Sequence, residues 1–203
     1  MCTVCRHDLP LTDYNFSEEN PVDRTFYGRI RIKKASSFLF FSKYGVVKNL
    51  LHNLKYKNQE SIGLFLGDWY GNILSKDNAL KPIDVVIPVP LHPKKLRKRG
   101  YNQVDDFAKR IAHHLNTSFS NQMLIKTANT RTQTKKDRLF RWQNAQDLYE
   151  PLNIELLKNK TVLLVDDVIT TGATIEACAK ALQKANGITI YVATMAFVPK
   201  LGI

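Results

Sequence analysis

The sequence predicts an α/β fold, a mostly parallel sheet with helices on both faces. Two short apolar runs closed by prolines or acids, residues 83–88 (IDVVIP) and 161–165 (TVLLV), read as strands buried on both sides. Segments with apolar residues at helical spacing alternate with such strands through the second half, the pattern of βαβ units. The size and composition, 203 residues with 44% hydrophobic and 24% charged, suit one soluble domain with a small addition.

The elements follow in order. Residues 1–28 are polar and turn-rich, with a break at Asn20-Pro21, and read as an N-terminal appendage to a main domain spanning 29–203. Residues 29–41 (RIRIKKASSFLFF) alternate and then turn apolar, as one or two strands do. Val46, Val47, Leu50, Leu51 and Leu54 share one helical face, and Ile62, Phe65, Leu66, Trp69 and Ile73 another. After the IDVVIP strand, Val104, Phe107, Ala108, Ile111 and Leu115 mark a helix that Asn102 is placed to cap, with Asp105 in its first turn. MLIKT (123–127) is a further strand and TVLLV the clearest one. Ile175, Cys178, Ala179 and Leu182 form the next helix face, Asn186-Gly187 stops that helix, and ITIYVATMAF (188–197) is the last strand.

Charge narrows the class of partner. The chain carries a net +12 with a pI near 9.6, which points to polyanions such as phosphates or nucleic acid. Residues 94–110 hold seven Lys/Arg against two Asp, and residues 126–141 hold six against one, so the positive potential is focused on two segments. No apolar run approaches the ~20 residues of a membrane helix and no signal-like h-region opens the chain, so a cytoplasmic protein without membrane insertion is expected. Three cysteines make no disulfide framework, in keeping with a reducing compartment. Neither a G-x-x-x-x-G-K-[ST] loop nor a G-x-G-x-x-G fingerprint occurs, which excludes the P-loop and dinucleotide-binding readings.

The candidate site is VDDVITTGAT. In parallel sheets ligands sit beyond the carboxyl ends of the strands. Asp166 and Asp167 follow the four apolar residues 162–165 and are expected on the rim at that edge, and Thr170, Thr171, Gly172, Ala173 and Thr174 form a turn entering a helix. Free N–H groups and the dipole of a helix N-terminus bind phosphate, and threonine hydroxyls add donors. Two carboxylates would repel that phosphate, so they face a donor-rich or cationic part of the same ligand. Ribose hydroxyls and a metal ion both satisfy this, and a sugar 5-phosphate fits both halves.

VLLVDDVITTGAT resembles the thirteen-residue phosphoribosyl-pyrophosphate (PRPP) signature of type I phosphoribosyltransferases. DVVIPVPLHPKKLRKRGYNQ (84–103), RTQTKKDRLFRWQN (131–144) and NLKY (53–56) are similar to elements of the ComF (ComFC/GntX-like) family, linked to competence and DNA utilisation. The resemblance implies a type I phosphoribosyltransferase fold. It implies that Asp166 and Asp167 hold the ribose hydroxyls at the catalytic centre and that residues 170–174 hold the 5-phosphate. It places Val89, Pro90, Leu91, His92, Lys94, Lys95, Arg97, Lys98 and Arg99 in the pyrophosphate loop. Arg131, Gln133, Lys135, Lys136 and Arg138 fall in the flexible loop that closes over the site in these enzymes. Mg2+ would arrive with PRPP rather than in a protein cage.

Two functions follow, transfer of a phosphoribosyl group to an unnamed acceptor, or PRPP sensing by a single-stranded DNA-binding component that works with other DNA-uptake proteins. Tyr101, Phe140 and Trp142 border the basic segments as stacking aromatics would. The family generally opens with a zinc module of two C-x-x-C pairs. Here only Cys2 and Cys5 form such a pair, a partial zinc-ribbon remnant to which His7 adds at best a third ligand, so an intact four-ligand Zn2+ site is not expected. Cys178 reads as core and His113-His114 as surface, and His92 is the histidine to test.

Overall fold

Apolar, β-branched runs such as VVIP and TVLLV have no face to give to water and are stable in the middle of a covered sheet. They lie there in this computed structural model, which describes residues 6–127 and 148–199. The sheet has five parallel strands. In spatial order they are β1 (Lys34–Phe40), β7 (Thr189–Phe197), β6 (Thr161–Ile169), β2 (Val85–Pro88) and a two-residue edge strand, β3 (Ser118–Phe119). Central β6 pairs with β2 only as far as Val165 but with β7 out to Ile169. Val89 N–H closes the β2 side by donating to Val165 O at 2.8 Å, which leaves Asp166–Ile169 open on that flank.

Helices cover both faces. On one lie α2 (Val46–Tyr56), α3 (Ser61–Leu74) and α5 (Asp105–His114), whose Leu54, Leu66, Tyr70, Phe107 and Ile111 pack with Leu163, Val165 and Met195. On the other, α6 (Ala173–Leu182) and short α1 (Pro21–Arg24) bring Ile175, Cys178, Leu182 and Val22 against Val162, Leu164 and Val192. The two-residue period of a strand assigns alternate residues of β6 to the two cores. Among the described residues no helix is long and apolar enough to cross a membrane.

MLIKT does form a strand, β4 (Leu124–Lys126), which pairs antiparallel with β5 (Tyr149–Pro151) in a separate two-stranded sheet. Several expectations are corrected. Residues 93–99, expected as part of a loop, form a short helix, α4 (Pro93–Arg99), with Pro at its start and Gly100 in the left-handed conformation at its end. Asn102 does not cap α5. Its amide donates to Val89 O at 3.1 Å and its Oδ1 accepts from Val104 N–H at 3.3 Å, so it ties the strand-end turn to the helix instead. His114 is not a bare surface group, because its ring lies 3.0 Å from Asp68, which also pairs with Arg110.

Residues 6–28, polar in composition, are fastened to the sheet. Leu9, Phe16, Val22 and Phe26 are buried, and Leu11 bridges antiparallel to Leu39. The buried Asp23 carboxylate accepts from Ala35 N–H at 2.6 Å and Asn20 N–H at 3.2 Å and pairs with Lys34 at 3.1 Å. A buried carboxylate is tolerated only with such a set of partners. Asn20 caps α1 and donates to Ala35 O at 2.9 Å, so the Asn20-Pro21 break is a helix start docked on β1.

Candidate functional site

Strand β6 does not stop at Val165. Pairing with β7 carries it through the two acids, so Asp166 and Asp167 are 7% and 9% exposed rather than standing on the rim. Strand alternation turns them toward different neighbours. Asp167 Oδ2 accepts from Gln103 Nε2 at 2.6 Å and pairs with Lys55 Nζ at 2.9 Å. Asp166 Oδ1 accepts the Asp167 N–H at 2.8 Å and lies among Cys178, Tyr149 and Lys126. Burial first, and then the adjoining Asp167, push the Asp166 carboxyl well above the ordinary carboxylate range, against the Asp167 N–H, Lys55 and Lys126. Its surroundings move too. Burial lowers the Lys126 ammonium and raises the Cys178 thiol and the Tyr149 phenol, and Lys126 Nζ donates to Tyr149 Oη at 2.8 Å.

Beyond Ile169 the chain turns through Thr170–Gly172 into α6. Gly172 has φ +79°, and a Cβ there would come within 2.8 Å of Phe26 Cε1, so both conformation and contact require glycine. Arg29 clamps the turn from outside: Nη1 donates to Thr171 O at 2.6 Å while the guanidinium pairs with Glu176 at 2.6 Å. The turn, with Asp166 and Ile175, surrounds a depression of about 30 Å³. One water occupies about 10–15 Å³ on that measure, so the space suits a compact anionic head and not a whole sugar phosphate. The first N–H groups of a ten-residue helix serve such an anion.

On the other flank Lys55, Tyr56, Asn58, Lys95, Lys98 and Arg99 line a cavity of about 290 Å³. Four cations converge there from the end of α2 and from α4. Arg99 lies 5.3 Å from the Tyr56 ring centroid, a cation–π contact, and donates to Gln103 Oε1. Gln103 thus links the cavity to Asp167, and Lys55 both lines the cavity and touches the carboxylate. The site is thus a threonine turn around a small depression, a buried acid pair and a cationic cavity.

The structure therefore brings Asp166, Asp167 and residues 170–174 together, with Lys95, Lys98 and Arg99 across the acids. Val89 and Pro90 follow β2 directly beside Val165, and His92 caps α4, its Nδ1 accepting from Lys94 N–H at 3.2 Å. Lys94 and Arg97 are exposed and Leu91 is half-buried. The basic run 94–110 does not form one rim, because on α5 Lys109 pairs with Asp106 and Arg110 with Asp68 of α3. Cys2, Cys5, Arg131, Gln133, Lys135, Lys136, Arg138, Phe140 and Trp142 lie outside the described residues. His7 is exposed beside Asp8, and among the described residues no group of three or more His, Cys, Asp or Glu could hold a metal ion. Sequence reasoning missed Lys55, Gln103, Lys126, Tyr149, Arg29 and Phe26 as parts of the site. NLKY and GYNQ stood inside the quoted motifs, but nothing local showed that Lys55 and Gln103 meet Asp167.

A parallel sheet with an acid pair and a Thr-Thr-Gly-Ala-Thr turn at the end of its central strand defines a type I phosphoribosyltransferase fold. Accordingly, residues 106–201 match the family described as the phosphoribosyl transferase domain. Competence protein F of Haemophilus influenzae is 33% identical over 54% of this chain and 48% of its own length. The DNA utilization protein YhgH of Salmonella typhimurium is 26% identical over 70% of this chain and 63% of its own. The glutamine PRPP amidotransferase of B. subtilis is 18% identical over 70% of this chain and 30% of its own, with a TM-score of 0.47. The chain carries a phosphoribosyltransferase domain match over residues 106–201 and is similar to competence and DNA utilization proteins, and it spans about half to three fifths of the length of these curated relatives.

Proposed function

We propose that this protein binds PRPP with Mg2+ and acts in DNA uptake or utilisation, transferring the phosphoribosyl group to an acceptor the sequence does not name. The observation that carries the reading is the placement of the acid pair between an anion-sized turn and a four-cation cavity. In this reading residues 170–174 take the 5-phosphate, Asp166 and Asp167 take the ribose hydroxyls, and Lys95, Lys98 and Arg99 take the diphosphate. The donor set fits a metal brought by the ligand: two acids on one strand, one already paired with Lys55, make no cage. Bound there, Mg2+ would neutralise diphosphate charge. The chain's own part is to position the ribose and to balance the departing group with fixed cations. Saturating PRPP with Mg2+, at 100 times its dissociation constant, is expected to add about 2.7 kcal/mol of stability. A thermal melt with and without ligand checks it, and an unmoved Tm sinks the reading.

One observation favours a second reading, a PRPP-sensing protein that binds single-stranded DNA without chemistry. Two exposed tyrosines carry cations, Tyr56 beneath Arg99 and Tyr44, 89% exposed, with Lys43 Nζ at 5.7 Å. Cation-flanked aromatics are the stacking platforms of such sites. Oligo-dT affinity is then expected to fall with salt at a log–log slope of about −2.8 if four phosphates are neutralised. A flat salt dependence measured by fluorescence anisotropy rejects this reading and leaves the first standing.

A further inference from the structure

We infer that Lys55 is a mobile cation of the site: in the free protein it neutralises Asp167, and on ligand binding it exchanges that carboxylate for the diphosphate, leaving Asp167 to the ribose hydroxyls. This rests on the PRPP reading above. Among the described residues, Lys55 is the one that both touches the acid pair, at 2.9 Å, and lines the cationic cavity with Lys95, Lys98 and Arg99. It stands at the last turn of α2, one residue before the helix's final Tyr56, and its side chain is 23% exposed, so it reaches both partners from one backbone position. A lysine suits this role because its ammonium is a point charge on a flexible stem, without the fixed fork of an arginine.

The acid it leaves is not stranded. Gln103 Nε2 continues to donate to Asp167 Oδ2, and Gln103 is held from behind by Arg99, so the carboxylate keeps a fixed orientation while one of its donors is replaced by sugar hydroxyls. Without the exchange, a ribose hydroxyl and the Lys55 ammonium would compete for the same oxygen, and only Lys95, Lys98 and Arg99 would face the incoming anion. The diphosphate supplies that anion. Lys55 is therefore a binding residue for one end of the ligand and a competitor at the other.

The two roles separate in one experiment. Dissociation constants are measured by calorimetry for PRPP with Mg2+ and for ribose 5-phosphate, which lacks the diphosphate, on wild-type protein, Lys55→Met and Lys55→Arg. Lys55→Met is expected to weaken PRPP at least tenfold while leaving ribose 5-phosphate unchanged or tighter, because the competitor is gone. Lys55→Arg, which keeps the charge but not the compact ammonium, is expected to recover part of the PRPP affinity, which traces the loss in Lys55→Met to the missing charge and not to a fold defect. Equal weakening of both ligands by Lys55→Met, or no change in either, overturns the exchange. A wild-type protein that takes up neither ligand sinks the PRPP reading itself, and this inference with it.

Discussion

Phe26→Ala is expected to cost about 3–5 kcal/mol of stability, the range for emptying a fully buried aromatic site. Phe26 is 0% exposed in the core beneath α6, among Val22, Ile175 and Cys178. It also abuts Gly172, so the cavity opens directly under the Thr170–Gly172 turn. Weaker PRPP binding should accompany the lost stability, since a preorganised turn gives up less entropy on binding than a loosened one. Urea unfolding of the variant measures the first effect and a PRPP titration on the folded fraction the second. Tyr27→Ala is the control. Its side chain, next to Phe26 in sequence, is 59% exposed, and a change within about 0.5 kcal/mol is expected there. Equal, small losses in both variants would mean that residues 6–28 hang on the domain without supporting it.

Asp166→Asn and Asp167→Asn should each weaken PRPP at least 100-fold, about 2.7 kcal/mol, yet shift stability in opposite directions. Burial and Asp167 raise the Asp166 carboxyl above its unfolded value, so the folded state favours its protonated form. Its contribution to stability is therefore fully present below the unfolded pKa and is lost as pH rises toward the folded pKa. The neutral amide escapes that loss. Asp166→Asn is expected to match the wild type at low pH and to exceed it at neutral pH, by about 0.5–2 kcal/mol. Asp68, Asp84 and Glu176 are held low by their partners and pull the pH trend the other way, but they do so in both proteins and cancel in the difference. Denaturant unfolding at pH 5 and pH 8 gives that difference, and a gap that does not grow with pH would rule out a buried, repelled carboxyl. Asp167→Asn instead leaves Lys55 without its carboxylate partner in a half-covered position and is expected to destabilise.

Much of this was legible in the chain. The helix faces at 46–54, 62–73 and 175–182 depend on near neighbours at i+3 and i+4, and the strands at 83–88 and 161–165 on continuous apolar runs, so local pattern was enough to reveal them. The acid pair and its threonine turn stand within one short stretch, and their chemistry is local too. Their burial is not. Asp166 and Asp167 follow the apolar run and look like a strand end, but β7 supplies partners out to Ile169 and draws them into the sheet. Composition also misrepresented residues 6–28, where Leu9, Phe16, Val22 and Phe26 are buried and where Asp23 and Asn20 find partners on β1.

What the sequence by itself determined is a set of local features: a parallel-sheet pattern, a Thr-Thr-Gly-Ala-Thr turn, two adjacent acids and focused positive charge. Tertiary structure alone decided which cations serve the acids. Lys55 and Gln103 meet Asp167 because α2 and α5 pack on the same face of the sheet, and Lys109 and Arg110, inside the same basic run as Lys95, are turned away to Asp106 and Asp68. A charge run records how many cations a segment carries. The direction each one faces is set by how its helix rotates to bury its apolar stripe, and that is a property of the packed core.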